Sequence, residues 1–180
     1  VMEVNFSERL LYIVDDNEGM SLYLKEHLEL FFKIKSIHSA QELFDSLNND
    51  EELPDAILLD IYLPDISGFE ICEEIKSNSF LQMIPIILMS GENSVSSKVQ
   101  GVQKGAADYI TKPFHIDEVI ARLKSHIYSK ALREEIIMRN NSLEMMSEEL
   151  AETKDRMEEQ AGELVYMLAE VDEAKAVIEE

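Results

Sequence analysis

The sequence predicts an α/β fold: a (βα)5 doubly wound, five-stranded parallel sheet followed by a long helix. Three observations carry that expectation. Short apolar runs alternate with stretches of helical rhythm up to about residue 128, the order of parallel strands joined by crossover helices. The apolar runs are continuous rather than alternating, as strands covered on both faces require. From Phe114 to Glu180 there is no proline and a single glycine, Gly162, so nothing in the composition interrupts a helix.

Leu10–Val14 reads as the first buried strand, and Met20, Leu22, Leu24, Leu28, Leu30 and Phe31 give the helical rhythm that follows. Lys33–Ile37 is short and β-compatible. Ser39 suits an N-cap, with Glu42 three residues on as its capping-box partner, and the helix runs through Leu43, Phe44 and Leu47. Leu53-Pro54-Asp55 breaks the chain before the strand Ala56–Asp60. Leu63-Pro64-Asp65-Ile66-Ser67-Gly68 is turn chemistry, and Phe69, Ile71, Cys72 and Ile75 begin another amphipathic helix. Ile84–Met89 reads as the fourth strand, with Pro85 tolerable near its start. Ser94–Lys104 is a more polar helix that Gly105 can close, and Asp108–Thr111 is the fifth strand.

Composition narrows the function classes. The 180 residues carry 37 acidic and 16 Lys/Arg side chains, a formal net charge of −21. Such a balance disfavours direct nucleic-acid binding and docking on anionic lipid. No apolar run approaches the ~20 residues that span a bilayer, and no signal peptide is visible, so a cytoplasmic location is expected. The lone cysteine, Cys72, forms no internal disulfide and reads as a small core residue. The chain starts at Val1 and stops at Glu180 within a helical pattern, which suggests a piece of a longer protein.

The polar residues at the strand ends point to chemistry. Asp15 and Asp16 close the first strand, Asp60 the third, Ser90 the fourth, and Lys112-Pro113 the fifth. In an open parallel sheet these ends share one edge, where ligands bind. Three neighbouring carboxylates require a proton or a cation among them. Oxygen donors with no nearby His or Cys suit Mg²⁺, with Mn²⁺ as the alternative. A carboxylate beside such an ion can attack a phosphoryl donor and become an acyl phosphate. Lys112 can then pair with one phosphoryl oxygen and Ser90 can donate to another. His27, His38, His115 and His126 share no spacing and read as surface or partly buried residues.

The segments Leu-Tyr-Ile-Val-Asp15-Asp16-Asn, Leu-Leu-Asp60-Ile-Tyr-Leu-Pro-Asp-Ile-Ser-Gly68-Phe-Glu, Pro-Ile-Ile-Leu-Met-Ser90-Gly91 and Gly105-Ala-Ala-Asp-Tyr109-Ile-Thr-Lys112-Pro113-Phe114 resemble bacterial response-regulator receiver domains. The resemblance covers residues 8–128 and departs from the family pattern at no key position. It implies a flavodoxin-like receiver whose Asp60 is phosphorylated by a sensor histidine kinase or phosphotransfer protein. It implies that Asp16 binds Mg²⁺ directly, Asp15 through water, and that Asp60 and the backbone carbonyl of Tyr62 complete the metal site. Ser90 and Tyr109 take the switching positions, and the Lys112–Pro113 peptide is expected to be cis. Tyr62 and Glu92 are expected to flank the path of attacking water. On this view the chain is a regulatory module of two-component signal transduction and not itself an enzyme.

An alternative is an Mg²⁺-dependent aspartyl phosphatase or phosphotransferase with Asp60 as nucleophile. Such an enzyme needs a general acid-base beside it. Haloacid-dehalogenase-like phosphatases place a second Asp two residues on, where this chain has Tyr62. A purely structural rod is the third reading, and the intact acidic pocket argues against it.

Residues 129–180 carry the other signal. Leu143, Leu150, Met157, Leu164, Val171 and Ile178 recur every seventh residue, followed three later by Met146, Thr153, Gln160, Met167 and Ala174. That is a coiled-coil repeat, extending back through Ile136 and Leu132 with Arg139 as a break. A stalk continuous with the last receiver helix is expected, paired as a parallel homodimer. In that pairing Glu149 faces Lys154 of the partner subunit and Glu170 faces Lys175 of the partner subunit. Each exposed pair is worth about 0.3–0.5 kcal/mol. The polar residues Arg139, Thr153 and Gln160 weaken the seam. Similar receiver-plus-helix arrangements precede diguanylate cyclases, HD-type phosphodiesterases, histidine kinases and serine phosphatases. The sequence does not choose among such output domains, and no basic recognition helix supports a DNA-binding one.

Overall fold

A computed structural model describes residues 4–91 and 95–178, and within them the side chains up to Asp172 other than those of residues 95 and 96. Five strands, β1 (Leu10–Val14), β2 (Lys33–Ile37), β3 (Ala56–Asp60), β4 (Ile86–Ser90) and β5 (Asp108–Thr111), alternate with α1 (Glu18–Leu28), α2 (Ala40–Asn49), α3 (Gly68–Ser77), α4 (Val95–Gln103) and α5 (Ile116–Ile178). All strand pairs are parallel, in the order β2-β1-β3-β4-β5. The chain forms two compact units, residues 1–133 and 134–180.

The continuous apolar strands resolve into two cores by simple alternation. Tyr12, Val14, Ile57, Leu59, Ile86 and Leu88 face α2 and α3, meeting Leu43, Leu47, Ile71, Cys72 and Ile75. Leu11, Ile13, Leu58, Ile87 and Met89 face α1 and α5, meeting Leu24, Leu28, Val119, Leu123 and Ile127. Cys72 lies in the first core, where burial pushes its thiol up to about 11, so it stays a packed thiol.

Four local expectations shift. β4 starts at Ile86, two residues later than expected, because Pro85 has no N–H to give the ladder; its carbonyl instead accepts from Ile57 N at 2.9 Å. α4 spans Val95–Gln103, and Ser94 lies outside the described residues. α1 ends at Leu28, and Leu22 and Leu30 are exposed, because the face turned to the sheet is set by Ser21, Leu24 and Leu28. At α2, Ser39 accepts from Glu42 N at 3.2 Å as a cap should, but the Glu42 carboxylate accepts from His38 N at 2.8 Å, one residue earlier than a capping box places it.

Two arrangements fasten α5 within the first unit. A 3-10 turn at Phe6–Glu8 brings Phe6 against the second core, and Lys124 of α5 lies 4.2 Å from the Phe31 ring centroid and 5.5 Å from that of Phe6. At the N-terminal edge of the sheet, the buried Asp55 accepts from Arg9 Nη1 at 3.0 Å and from Leu10 N at 2.9 Å, with Lys130 Nζ of α5 at 3.6 Å. A buried carboxylate needs such partners, and here they join β1, β3 and α5.

The second unit is helical. Leu143, Met146, Leu150, Met157, Leu164, Met167 and Val171 are each half or more exposed in the single chain. No helix among the described residues is long and apolar enough to cross a membrane.

Candidate functional site

The strand order changes direction between β1 and β3, and the crevice beyond that point is where α/β sheets bind ligands. Asp15 and Asp16 follow β1, and Asp60 ends β3. Carboxylate oxygens of the three lie within 4.8 Å of one another. Asp15 and Asp60 are buried, and Asp16 is exposed.

Each side chain is placed by short-range constraints. Asp15 N donates to Ile37 O of β2 at 3.1 Å, and Asp15 Oδ1 accepts from Asn17 N at 2.9 Å. Asn17 in turn caps α1 by accepting from Met20 N at 2.9 Å. Asp60 Oδ1 accepts from Tyr62 N at 3.2 Å. Ile61 N donates to Met89 O at 3.0 Å, and Gly68 N to Ile61 O at 2.8 Å, so the β3–α3 loop returns to the end of β3 beside Asp60. Ser67 and Glu70 close that loop with a complete capping box.

Gly68 has a specific reason to be glycine. A Cβ there would lie 2.5 Å from Asp60 O and 2.8 Å from Ile61 Cα, both backbone atoms that cannot swing aside. Gly68→Ala is therefore expected to destabilise the fold by about 2 kcal/mol through overpacking. Urea denaturation would register this as a lower midpoint; an unchanged midpoint would show that the loop yields freely.

Lys112 provides the counter-charge. Its Nζ donates to Asp60 Oδ2 at 2.6 Å and to Asp15 Oδ2 at 3.0 Å. The Lys112–Pro113 peptide is cis, as the family resemblance implies, and Lys112 N donates to Ser90 O at 2.7 Å. One ammonium thus serves two buried carboxylates, and the result is asymmetric. Burial works against charge on Lys112, but its bonds to Asp60 and Asp15 outweigh that and hold it above the ordinary lysine range. Burial raises the Asp15 carboxyl, and the Asn17 amide and Lys112 do not fully offset it.

The remaining predicted residues have the following places in the fold. Ser90 ends β4 and is buried. Tyr109 is half-buried on β5, opposite Leu88 in register, and packs against the first core. Tyr62 follows β3 and is exposed. Glu92 lies outside the described residues. His38, which sequence reading left as a scattered histidine, places its Nδ1 3.1 Å from Asp15 O. Asp65, read only as turn chemistry, accepts from Ala40 N and Gln41 N of α2. Neither contact has a local signal, since the partners are 23 and 25 residues apart.

The donor set suits a hard divalent cation. Three carboxylates with one ammonium leave excess negative charge, and all the clustered ligand atoms are oxygens.

Comparison with known proteins agrees with this geometry. Residues 11–124 match the family described as "Response regulator receiver domain". A Vibrio cholerae protein named "Probable cyclic di-GMP phosphodiesterase" is 28% identical over 172 residues, which is 95% of this chain and 38% of that protein. The "Phosphate regulon transcriptional regulatory protein PhoB" of Rhizobium meliloti is 34% identical over 114 residues, 63% of this chain and 49% of that one. This chain therefore spans about half the length, or less, of these relatives. A solved CheY-like receiver domain protein from Methanospirillum hungatei superposes with a TM-score of 0.64 at 25% identity, covering 69% of this chain and 98% of that one. With the family matched over more than half of its residues and its five-stranded sheet shared with a solved receiver, this chain belongs to the response regulator receiver domain family.

Proposed function

We propose that Asp60 accepts a phosphoryl group from a phosphohistidine of a sensor kinase or phosphotransfer protein. The observation that carries this reading is the Lys112 ammonium held against both Asp60 and Asp15 at the switch point of the sheet. A carboxylate oxygen of Asp60 forms the new bond to phosphorus as the bond from phosphorus to the donor imidazole nitrogen breaks. Bound between Asp15, Asp16, Asp60 and the Tyr62 carbonyl, Mg²⁺ would offset the repulsion between the nucleophile and the incoming phosphoryl oxygens. Lys112 is close enough to follow the transferred oxygens. Ser90, at the adjacent strand end, is the second donor, and Tyr109 on β5 is the group that repacks. No second Asp follows Asp60 at Tyr62, which disfavours a phosphatase acting on outside substrates.

The switch would be passed on by α5. The seven-residue apolar repeat supports a parallel homodimer through residues 129–180, with Ile178, Ala174 and Lys175 beyond the described side chains. The Vibrio relative aligns over more residues than the first unit contains, so the likeness includes part of the C-terminal helix. We infer a catalytic output beyond that helix, with a cyclic-dinucleotide phosphodiesterase as the first candidate. A cytoplasmic site of action follows from a kinase-fed switch.

The test is direct. Incubated with Mg²⁺ and acetyl phosphate, the protein should gain one hydroxylamine-sensitive phosphoryl group by intact mass, and Asp60→Asn should gain none. No adduct on the wild type, or an equal adduct on the variant, would overturn the assignment. For the stalk, Leu150→Asp places a charge in each half of the seam and is expected to weaken self-association about tenfold or more. Sedimentation equilibrium would measure it, and an undisturbed dimer would place the contact elsewhere.

A further inference from the structure

We propose that Asp65 is a positioning residue for the metal-dependent phosphorylation of Asp60, acting by fastening the β3–α3 loop to the start of α2. The proposal rests on the phosphoacceptor reading above and adds a residue to it.

The first amides of a helix have no partner within the helix. In α2, Ser39 satisfies only Glu42 N. The two amides nearest the start, Ala40 N and Gln41 N, donate instead to a single oxygen, Asp65 Oδ2, at 2.9 and 3.2 Å. The other oxygen, Oδ1, accepts from Ile66 N at 3.2 Å, which fixes the carboxylate within its own loop. A carboxylate at a helix N-terminus also interacts favourably with the positive end of the helix dipole. Asp65 is thus held from both sides.

What it holds matters for the site. The loop from Ile61 to Ser67 connects Asp60 to α3 and includes Tyr62, the residue whose carbonyl is proposed to face the cation. Its inner limb is set by Tyr62 N to Asp60 Oδ1, Ile61 N to Met89 O, and Gly68 N to Ile61 O. Its outer limb is set by Leu63 and Ile66 against the first core and by Asp65 on α2. The segment that Asp65 grips begins at His38 and Ser39, and the His38 ring reaches back to Asp15 O. The chain segments following β1, β2 and β3 are therefore linked in series around the acidic cluster. A loosened Asp65 frees one limb of the loop and leaves every carboxylate of the cluster in place.

Asp65 is exposed, so its negative charge could act on a nearby cation through space rather than through position. Two variants separate these effects. Asp65→Asn keeps an oxygen able to accept from both helix amides, and loses the charge and the acceptor for Ile66 N. Asp65→Ala loses the bridging oxygen as well. Mg²⁺ binding to the full chain, measured by isothermal titration calorimetry well below the melting temperature, is a readout that a merely structural role would leave unmoved. Asp65→Ala is expected to weaken the Kd about three- to tenfold, less than removal of a group bonded directly to a ligand costs. Asp65→Asn should stay within about twofold of wild type, since the anchoring oxygen that orients the loop is retained. An unchanged Kd in Asp65→Ala overturns the proposal, and so does Asp65→Asn falling as far as Asp65→Ala, since the retained bridge to α2 would then not be what sets the affinity. If the wild type itself shows no saturable Mg²⁺ binding, the metal-dependent reading falls along with it. If the wild type binds and the alanine variant matches it, only Asp65 falls.

Discussion

Lys112→Met is expected to slow phosphorylation of Asp60 by acetyl phosphate by roughly 10²–10³-fold, the usual loss when a preorganised donor to developing charge is removed. Lys112 is the cation in hydrogen-bond contact with both Asp15 and Asp60, and its side chain is only 20% exposed. Methionine keeps most of the stem and its packing, so the fold is conserved while the charge is lost. The Mg²⁺ affinity should hold or improve, because a cation that competes for the same carboxylates has gone. That pairing of outcomes separates loss of phosphoryl contact from loss of the metal. Stopped mass spectrometry of the acyl phosphate against time gives the rate, and calorimetry gives the affinity. A rate within tenfold of wild type would remove Lys112 from the transfer step.

The second large effect concerns Asp15. Its carboxyl is held above the ordinary range by burial, more than its amide and lysine partners lower it. In the unfolded chain it ionises at the ordinary carboxylate value of about 4. Between those two values the folded protein binds more protons than the unfolded chain, so stability falls as pH rises through the window. Above the folded value the cost is fully present. Lys112 does not reverse it, since its own raised value keeps it charged throughout that window; its contribution is lost only as pH rises through its folded value. Asp15→Asn removes the charge and keeps an oxygen for Asn17 N. At neutral pH and without Mg²⁺ it is expected to be the more stable protein, read as a higher Tm. Near pH 4 the gain should vanish. Mg²⁺ should raise the wild-type Tm by mass action and raise that of the variant less. A wild type more stable than Asp15→Asn at neutral pH without Mg²⁺ would contradict the sign.

Much of this was legible in the sequence because the informative patterns are local. Continuous runs such as Ala56–Leu59 mark strands covered on both faces, and the observed β1, β2, β3 and β5 match the expected spans. The strand-end residues Asp15, Asp60, Ser90 and Lys112 could be assigned to one edge as soon as the strands were parallel. Contacts across the sequence were not legible. Asp65 and Asp55 look like ordinary turn residues, yet one holds α2 and the other joins Arg9, Leu10 and Lys130. Leu22 and Leu30 misled because hydrophobic rhythm alone does not say which face of a helix meets the sheet. Gly68 reads as a turn former, and only the fold shows that Asp60 and Ile61 backbone atoms occupy the space a side chain would need.

The strand that ends in Asp60 is only five residues long, and Asp55 precedes it immediately. Its arginine, amide and lysine partners bolt that end in place. Sliding β3 by one residue would tear those contacts and invert the facing of every side chain between the two cores. Strain introduced at Asp60 therefore has no relief along the strand axis. It must escape sideways, into neighbouring strand tips and the turns beyond them, which makes β3 the fixed anvil of the domain and leaves motion to its surroundings.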